Sequence, residues 1–226
     1  MTVHAALSVA LSTALSTALL KACDLLGLVV SPSQHQAMLR YLALLQQWNA
    51  TYNLTAIREP AQMVTHHLAD SLSGVNPLRA RLPELTSATR LLDAGSGAGL
   101  PGLVLALMQP DLTVSCVDSV GKKVSFIRQS AAEMGLRNVE AVHSRLENLV
   151  GRQFDIVASR AFSSLGGMVA TTRHLLSPRG EWMAMKGKRP DTEMRALPPD
   201  IDVFHVEHLQ VPGLDAERCI VWMRRK

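Results

Sequence analysis

The sequence predicts an α/β fold: a Rossmann-like, mostly parallel, seven-stranded sheet over residues 90–226, preceded by a helical extension over residues 1–89 that packs on it. Three observations predict it. Before residue 89 the apolar residues recur at three- and four-residue spacing, the period of helices, with no convincing strand. From residue 90 short apolar runs alternate with helical patterns, which implies parallel strands covered by helices on both faces. The last two runs are joined through residues 210–218, with little room for a crossover helix, so one of them runs antiparallel in a hairpin at the sheet edge.

The elements follow in order. Residues 1–20 hold no Asp, Glu, Lys or Arg, and the first Lys is Lys21, behind the apolar run, so the basic start of a secretory signal is missing. Six Ser and Thr in those twenty positions fit a membrane span poorly. Leu7, Leu11, Leu15 and Leu19 instead form one helical stripe, suited to packing on the main domain. Ser31-Pro32-Ser33-Gln34 reads as a capping box with Pro at the first helical position, and Met38, Leu39, Leu42, Leu45 and Trp48 continue that helix. Another is expected after Pro60, with Met63, His67, Leu68 and Leu72 on one face. Strands are then expected at 91–92, 112–117, 139–142, 154–158, 181–185, 203–209 and 220–223, with helices at 122–134 and 165–176. No internal repeat or long linker interrupts the chain.

Composition narrows the function classes. With 47% hydrophobic and 19% charged residues the chain can build a buried core. Aromatics at 4% argue against a module that binds single strands on rows of stacked rings. Cys23, Cys116 and Cys219 are an odd number without CxxC spacing, which excludes a disulfide framework and a cysteine-rich zinc site and fits a reducing, cytoplasmic setting. A formal charge of +4 leans toward a polyanionic partner.

The segment with most chemical content is Leu91-Leu92-Asp93-Ala94-Gly95-Ser96-Gly97-Ala98-Gly99-Leu100-Pro101-Gly102. A strand ends in an acid, a glycine-rich turn comes next, and a helix begins near Pro101, offering unpaired amides to a ligand. Ligands of open parallel sheets bind at the carboxyl ends of the strands. Asp118 closes the next strand, where a carboxylate accepts hydrogen bonds from ribose hydroxyls. Gly97 to Gly102 also satisfies G-x-G-x-x-G, so a nicotinamide enzyme is an alternative. The acid before the first glycine points elsewhere, because Asp93 would repel a pyrophosphate but could orient an ammonium, directly or through water. Asp93, Gly95, Gly97 and Gly99 thus resemble motif I of the class I S-adenosylmethionine methyltransferases, and S-adenosylmethionine is the expected cofactor.

The residues after the fourth strand narrow the methyl acceptor. The [DN]-P-P-[YF] element of enzymes that methylate exocyclic amines is replaced there by Ser159-Arg160-Ala161-Phe162. Carbon-5 methylation of pyrimidines needs a thiolate nucleophile, and none of the three cysteines comes after that strand in the place a substrate thiolate would need. Acceptors that need no activation remain, such as guanine N7, as do a hydroxyl or side chain served by a base. Arg160 stands out there as a cation that could clamp the cofactor's carboxylate or hydrogen-bond guanine O6, against the plainer reading of a surface ion pair.

From Ser31 to Val221 the chain resembles the bacterial small-subunit rRNA guanine-N7 methyltransferase (RsmG) family, also called glucose-inhibited division protein B or GidB. The resemblance rests on residues 48–58 (Trp48-Asn49-Ala50-Thr51-Tyr52-Asn53-Leu54-Thr55-Ala56-Ile57-Arg58), residues 67–72, the glycine turn, Asp118-Ser119-Val120-Gly121-Lys122-Lys123, residues 144–147, residues 159–162 and Lys186-Gly187. It implies a class I methyltransferase fold with an N-terminal helical extension, and methyl transfer to N7 of one guanine in the decoding-centre loop of 16S rRNA, as naked RNA or within the small ribosomal subunit or its precursor. It also implies cofactor contacts at Gly95, Leu100, Leu146, Glu147 and Arg160. His66 departs from the family, which often has a basic residue before the His-x-x-Asp-Ser element. His66 and His67 are not read as a metal pair, because adjacent helix residues do not face each other; no metal or membrane partner is expected.

Lys186, Lys188 and Arg189 come after the fifth strand at the catalytic edge, where a phosphate backbone would pass, and Lys122 and Lys123 sit in a segment shared with the family; all five are expected to bind RNA. The closing Arg224-Arg225-Lys226 reads equally as a solvated tail. Trp48, Tyr52 and Asn53 are expected at the entrance of the guanine pocket, with packing of the extension on the sheet as the equal alternative for the two aromatics. Two other classes stay open: a class I methyltransferase acting on a small molecule or protein, and a non-catalytic binding or assembly factor.

Overall fold

The computed structural model describes residues 3–82, 89–160 and 162–226; the side chains of Leu7 and Leu11 lie outside that description. Helix α1 (Val3–Leu25) buries Leu15 and Leu19, the later part of the leucine stripe, and Cys23 one turn further on. Helix α2 (Pro32–Tyr52) starts on the expected capping box. Ser31 Oγ accepts from the Gln34 amide at 3.2 Å and Gln34 Oε1 accepts from the Ser31 amide at 2.9 Å, which satisfies two helix-end donors. It ends at Asn53, which is left-handed at φ 49°.

The next helical stretch is α3 (Pro60–Met63), a π turn (Val64–Ala69) and α4 (Asp70–Leu72), followed by α5 (Val75–Arg81). Met63, His67, Leu68 and Leu72 are buried as the spacing predicts. The π turn was not legible in the sequence; such turns are rare and gather at functional sites.

The sheet portion runs β1 (Arg90–Ala94), α6 (Gly102–Met108), β2 (Thr113–Asp118), α7 (Gly121–Met134), β3 (Val139–His143), β4 (Phe154–Ser159), α8 (Leu165–Thr172), β5 (Leu176–Lys186), α9 (Asp191–Arg195), β6 (Ile201–Leu209) and β7 (Arg218–Arg225). The strand order is β3-β2-β1-β4-β5-β7-β6. The first five strands pair in parallel and β7 is antiparallel to both β5 and β6, as the short connection predicts. The order reverses beside β1, so the carboxyl ends of β1, β2 and β4 flank the crevice where such sheets bind ligands.

Two boundaries differ from expectation by four residues or more. The helix over 165–176 stops at Thr172 and a short 3₁₀ turn (Arg173–Leu175) comes next, and β5 begins at Leu176 instead of 181. The early start is tied to a register shift: Phe154 pairs with Leu176 while Ile156 pairs with Glu181. The local pattern Ser177-Pro178-Arg179-Gly180 reads as a turn, and strand pairing overrides it.

One core joins extension and sheet: Met38, Tyr41 and Leu45 of α2 pack with Leu103 of α6 and with Phe126 and Ile127 of α7. Tyr41 meets Phe126 edge-on at 5.9 Å, and its hydroxyl donates to the Ala98 carbonyl at 2.9 Å. The extension therefore touches the glycine turn directly. No helix among the described residues is long and apolar enough to cross a membrane.

Candidate active site

The turn after β1 is built by its own backbone. The Gly95 and Ser96 amides both donate to the Val117 carbonyl at 3.0 Å, which ties the turn to the end of β2. Gly97 (φ 59°) then offers its amide to Asp118 Oδ2 at 3.0 Å, while Asp118 Oδ1 accepts from the Val120 amide at 2.9 Å. The Asp118 carboxylate is held at the top of β2 in one orientation, with Lys123 Nζ 3.6 Å away.

The glycines of the turn divide into two kinds. A Cβ added at Gly95 or Gly97 would meet nothing within 4 Å, so those two face open space. At Gly102 a Cβ would stand 2.6 Å from Cys116 Sγ and 2.7 Å from Asp93 Oδ2, and at Gly99 it would stand 2.5 Å from Leu103. The first pair leaves room for a ligand; the second lets the helix close on the sheet.

At Gly95 the turn opens on a cavity of about 470 Å³, lined also by Val117 to Val120, Lys123, Ser144 to Glu147, Phe162 and Thr171. Its size is in the range of small-molecule sites. A fixed carboxylate suited to two ribose hydroxyls stands at one side, and Val120, Leu146 and Phe162 supply apolar walls for a purine. The residues present therefore fit the nucleoside part of the expected cofactor, which Asp118, Leu146, Glu147 and the Gly95 backbone would hold.

Five expected contacts, Asp93, Gly97, Gly99, Leu100 and Arg160, do not line this cavity. Asp93 is 0% exposed and sits beneath the turn, where its Oδ2 accepts from the Gly102 amide at 2.8 Å. That bond also occupies the helix-start amide expected to serve a ligand. Burial pushes the Asp93 carboxyl up to about 6, against the lowering effects of the Gly102 amide and Arg160. Leu100 is buried and lines no described cavity, which leaves its backbone as the part near the turn, and Gly99 is packed on Leu103.

Arg160 does not line the 470 Å³ cavity. From just beyond β4 its Nη1 donates to Asp70 Oδ2 at 2.9 Å and to the His66 carbonyl, inside the π turn, at 3.0 Å. Arg218, at the start of β7, donates through Nε to the other Asp70 oxygen at 2.9 Å. These residues line a second cavity of about 380 Å³ with Ile57, His66, His67, Met185, Lys186, Gly187, Leu209 and Cys219. Burial and the nearby Arg160 hold the His67 imidazole down to about 4. Sequence reasoning gives no role to Asp70 or Arg218. Asp70 had a signal: it stands seven residues after Met63 and three after His67, on the buried face of a helix where an acid needs a partner. Arg218 had none, since strand pairing brings it there.

Of the residues expected to bind RNA, three are in ion pairs: Lys123 with Asp118, Lys186 with Glu193 at 3.0 Å, and Arg189 with Asp191 at 2.8 Å. Lys122 and Lys188 are exposed and have no acidic partner among the described residues. Trp48 packs on Phe126 at 5.6 Å and donates to Gln129 Oε1 at 3.1 Å, which locks α2 to α7. Tyr52 is exposed, and Asn53 Oδ1 accepts from Arg58 at 2.6 Å; none of the three lines a described cavity. No group of three or more His, Cys, Asp or Glu that could hold a metal occurs among the described residues.

Comparison with known proteins adds sequence and fold. Residues 34–221 match the family described as GidB, rRNA small subunit methyltransferase G. The chain is 56% identical over 201 residues to ribosomal RNA small subunit methyltransferase G of Methylibium petroleiphilum, covering 89% of this chain and 90% of the relative. It is 52% identical over 206 residues to the protein of the same name from Leptothrix cholodnii, covering 91% and 94%. Among solved structures it is similar to a SAM-dependent methyltransferase from Thiobacillus denitrificans in complex with S-adenosyl-L-homocysteine, with TM-score 0.53, 15% identity and coverage of 80% of this chain and 98% of that one. A SAM-dependent methyltransferase from Aquifex aeolicus gives TM-score 0.52 at 19% identity, covering 73% and 98%. The fold is that of the class I S-adenosylmethionine-dependent methyltransferases.

Proposed function

The chain belongs to the GidB family of rRNA small subunit methyltransferases, and from that premise we propose that it transfers a methyl group from S-adenosylmethionine to N7 of a single guanine in the decoding-centre loop of 16S rRNA. The observation that supports this most is the open face of the turn at Gly95, in the wall of a 470 Å³ cavity that holds a fixed carboxylate. The bound cofactor supplies a methyl group on a sulfonium.

The chain's own residues do the positioning. Asp118 takes the ribose hydroxyls, and the Gly95 backbone lets the ligand approach the end of β1. Leu146 and Phe162 flank the purine, and Glu147 stands at the mouth, where its carboxylate can accept from the exocyclic amine. Guanine N7 has an in-plane lone pair outside the ring conjugation, so it needs no base. Catalysis of this kind is alignment for in-line attack, which is worth up to ~7–11 kcal/mol in the best cases. Arg160, held at the end of β4, presents a guanidinium to guanine O6 or to a phosphate. The exposed Lys122 and Lys188 contact the phosphate backbone along the same edge of the sheet. A cytoplasmic location belongs to the same proposal.

The test is transfer of labelled methyl to free 16S rRNA, assembled small subunits or a metabolite pool. Label on one guanine, with strand cleavage specific for N7 methylation, is expected. Label on metabolites or protein alone would turn the reading to a different methyltransferase. Binding without any transfer would leave an assembly factor.

A further inference from the structure

Asp70 is 4% exposed, and each of its oxygens accepts one N–H from a different guanidinium, Arg160 and Arg218. The three residues come from parts of the chain 90 and 148 positions apart, brought together by the helix after the π turn, the end of β4 and the start of β7. A buried carboxylate needs partners, but one guanidinium would satisfy most of its charge. The second does something more: Asp70, fixed by Arg218, becomes a rigid anchor for Arg160, whose long side chain would otherwise sample many rotamers. The His66 carbonyl in the π turn adds a second hold on the same Arg160 nitrogen.

The cavity behind this arrangement has a definite charge. Its wall holds Arg160, Arg218 and Lys186 against Asp70, and Glu193 pairs with Lys186, so one positive charge remains in surplus. Among the described residues Arg160 keeps Nε and Nη2 without a hydrogen bond, and Arg218 keeps Nη2. Such donors suit an acceptor oxygen with negative or partial negative charge. At about 380 Å³ the cavity suits one nucleotide rather than a duplex.

We propose that this second cavity seats one purine nucleotide of the acceptor RNA, and that Asp70 and Arg218 are positioning residues that aim Arg160 at its oxygen acceptors. The seat rests on the methyltransferase reading above and adds to it the place of the acceptor. Its lining residues differ from those of the 470 Å³ cavity, but the two lie at the carboxyl ends of neighbouring strands, β4 and β5 here and β1 and β2 there.

The experiment compares Asp70→Asn, Arg218→Ala and Arg218→Lys with the unaltered protein in melting temperature, S-adenosylhomocysteine binding, kcat and KM on 16S rRNA, and binding of guanosine 5′-monophosphate. Cofactor-product binding is expected to stay within about twofold, because neither residue lines the first cavity. The Asp70→Asn variant is expected to lose about 100-fold in kcat, the scale on which misplacement of a reacting group acts. Arg218→Ala is expected to weaken the mononucleotide about tenfold, the worth of one charge-assisted hydrogen bond, and Arg218→Lys is expected to recover part of that loss. Where Asp70→Asn does not fold, Arg218→Ala at the rim decides. Folded variants with turnover and mononucleotide binding within about threefold of the parent would overturn the seat, as would a parallel fall in cofactor binding. A parent that binds the mononucleotide but methylates no RNA would overturn the functional reading and leave the seat standing.

Discussion

Asp93 and His67 are buried titratable groups whose effects on stability have opposite signs. The Asp93 carboxyl is raised from 3.8 to about 6 by burial, so the folded protein binds the extra proton and gains stability as pH falls through that window. The His67 imidazole is lowered from 6.5 to about 4, so the unfolded chain binds the extra proton and stability is lost as pH falls through that range. Each difference corresponds to ~3 kcal/mol at full extent, so the two nearly cancel between about pH 6 and 4. Single substitutions should uncover them. Asp93→Asn keeps an acceptor for the Gly102 amide but removes the gain, so its unfolding free energy should fall more steeply on acidification than the parent's. His67→Gln should do the reverse and become relatively more stable toward pH 5. Denaturant unfolding at several pH values reads both slopes; curves parallel to the parent's would contradict the placement of these groups. Asp93 also shows what a motif leaves out. Its place at a strand end was legible, but whether it faced ligand or protein depended on how closely Gly102 approaches, which only the packed helix decides.

The glycine turn makes a comparable distinction between neighbours in one element. Gly97 faces open space at φ 59°, so Gly97→Ala adds no clash but forces a left-handed alanine, at a cost of ~1–2 kcal/mol. Gly102 is helical, and its alanine methyl would press on Cys116 Sγ and Asp93 Oδ2, an overpacking of ~1–3 kcal/mol that also disturbs the turn from beneath. Both variants should melt lower, but their binding should differ. Gly97→Ala disturbs the amide that orients Asp118 Oδ2 and should weaken S-adenosylhomocysteine binding by more than its stability loss suggests. Gly102→Ala should keep much of its affinity once the protein is folded. Calorimetric titration beside thermal melts separates them, and equal losses of affinity would erase the division between open and packed glycines. The capping box at Ser31, the leucine stripe and the hairpin that makes β7 antiparallel were readable because each is a local pattern. The π turn and the early start of β5 were not, because both arise from pairing and packing with distant residues.

At the scale of the molecule, α2 supports the ligand-binding edge, since Tyr41 holds the Ala98 carbonyl and Trp48 locks α2 to α7. The sheet then presents its carboxyl edge to the outside, and the charge along that edge sets the predicted response to salt. Composition showed a modest +4, and the positions of the lysines suggested an RNA-facing rim, but the partners of those lysines were hidden until the loops were in place. Lys123, Lys186 and Arg189 each stand beside a carboxylate, so a phosphate that meets them must compete with Asp118, Glu193 or Asp191. Among the described residues, Lys122 and Lys188 meet no such competition. The slope of log binding constant against log salt flattens by about 0.7–0.9 for each phosphate that the protein no longer neutralises. Replacing Lys122 and Lys188 together by Ala should therefore flatten the slope for 16S rRNA by about 1.5 units. Arg189→Ala should flatten it by less than one lysine does, because its exposed pair with Asp191 already offsets part of its charge. Filter binding between roughly 50 and 200 mM salt would measure all three slopes, over the range where such phosphate pairing changes affinity by orders of magnitude. A larger change from Arg189→Ala than from the lysine pair would move the RNA path away from β2 and toward α9 and the outer edge of the sheet.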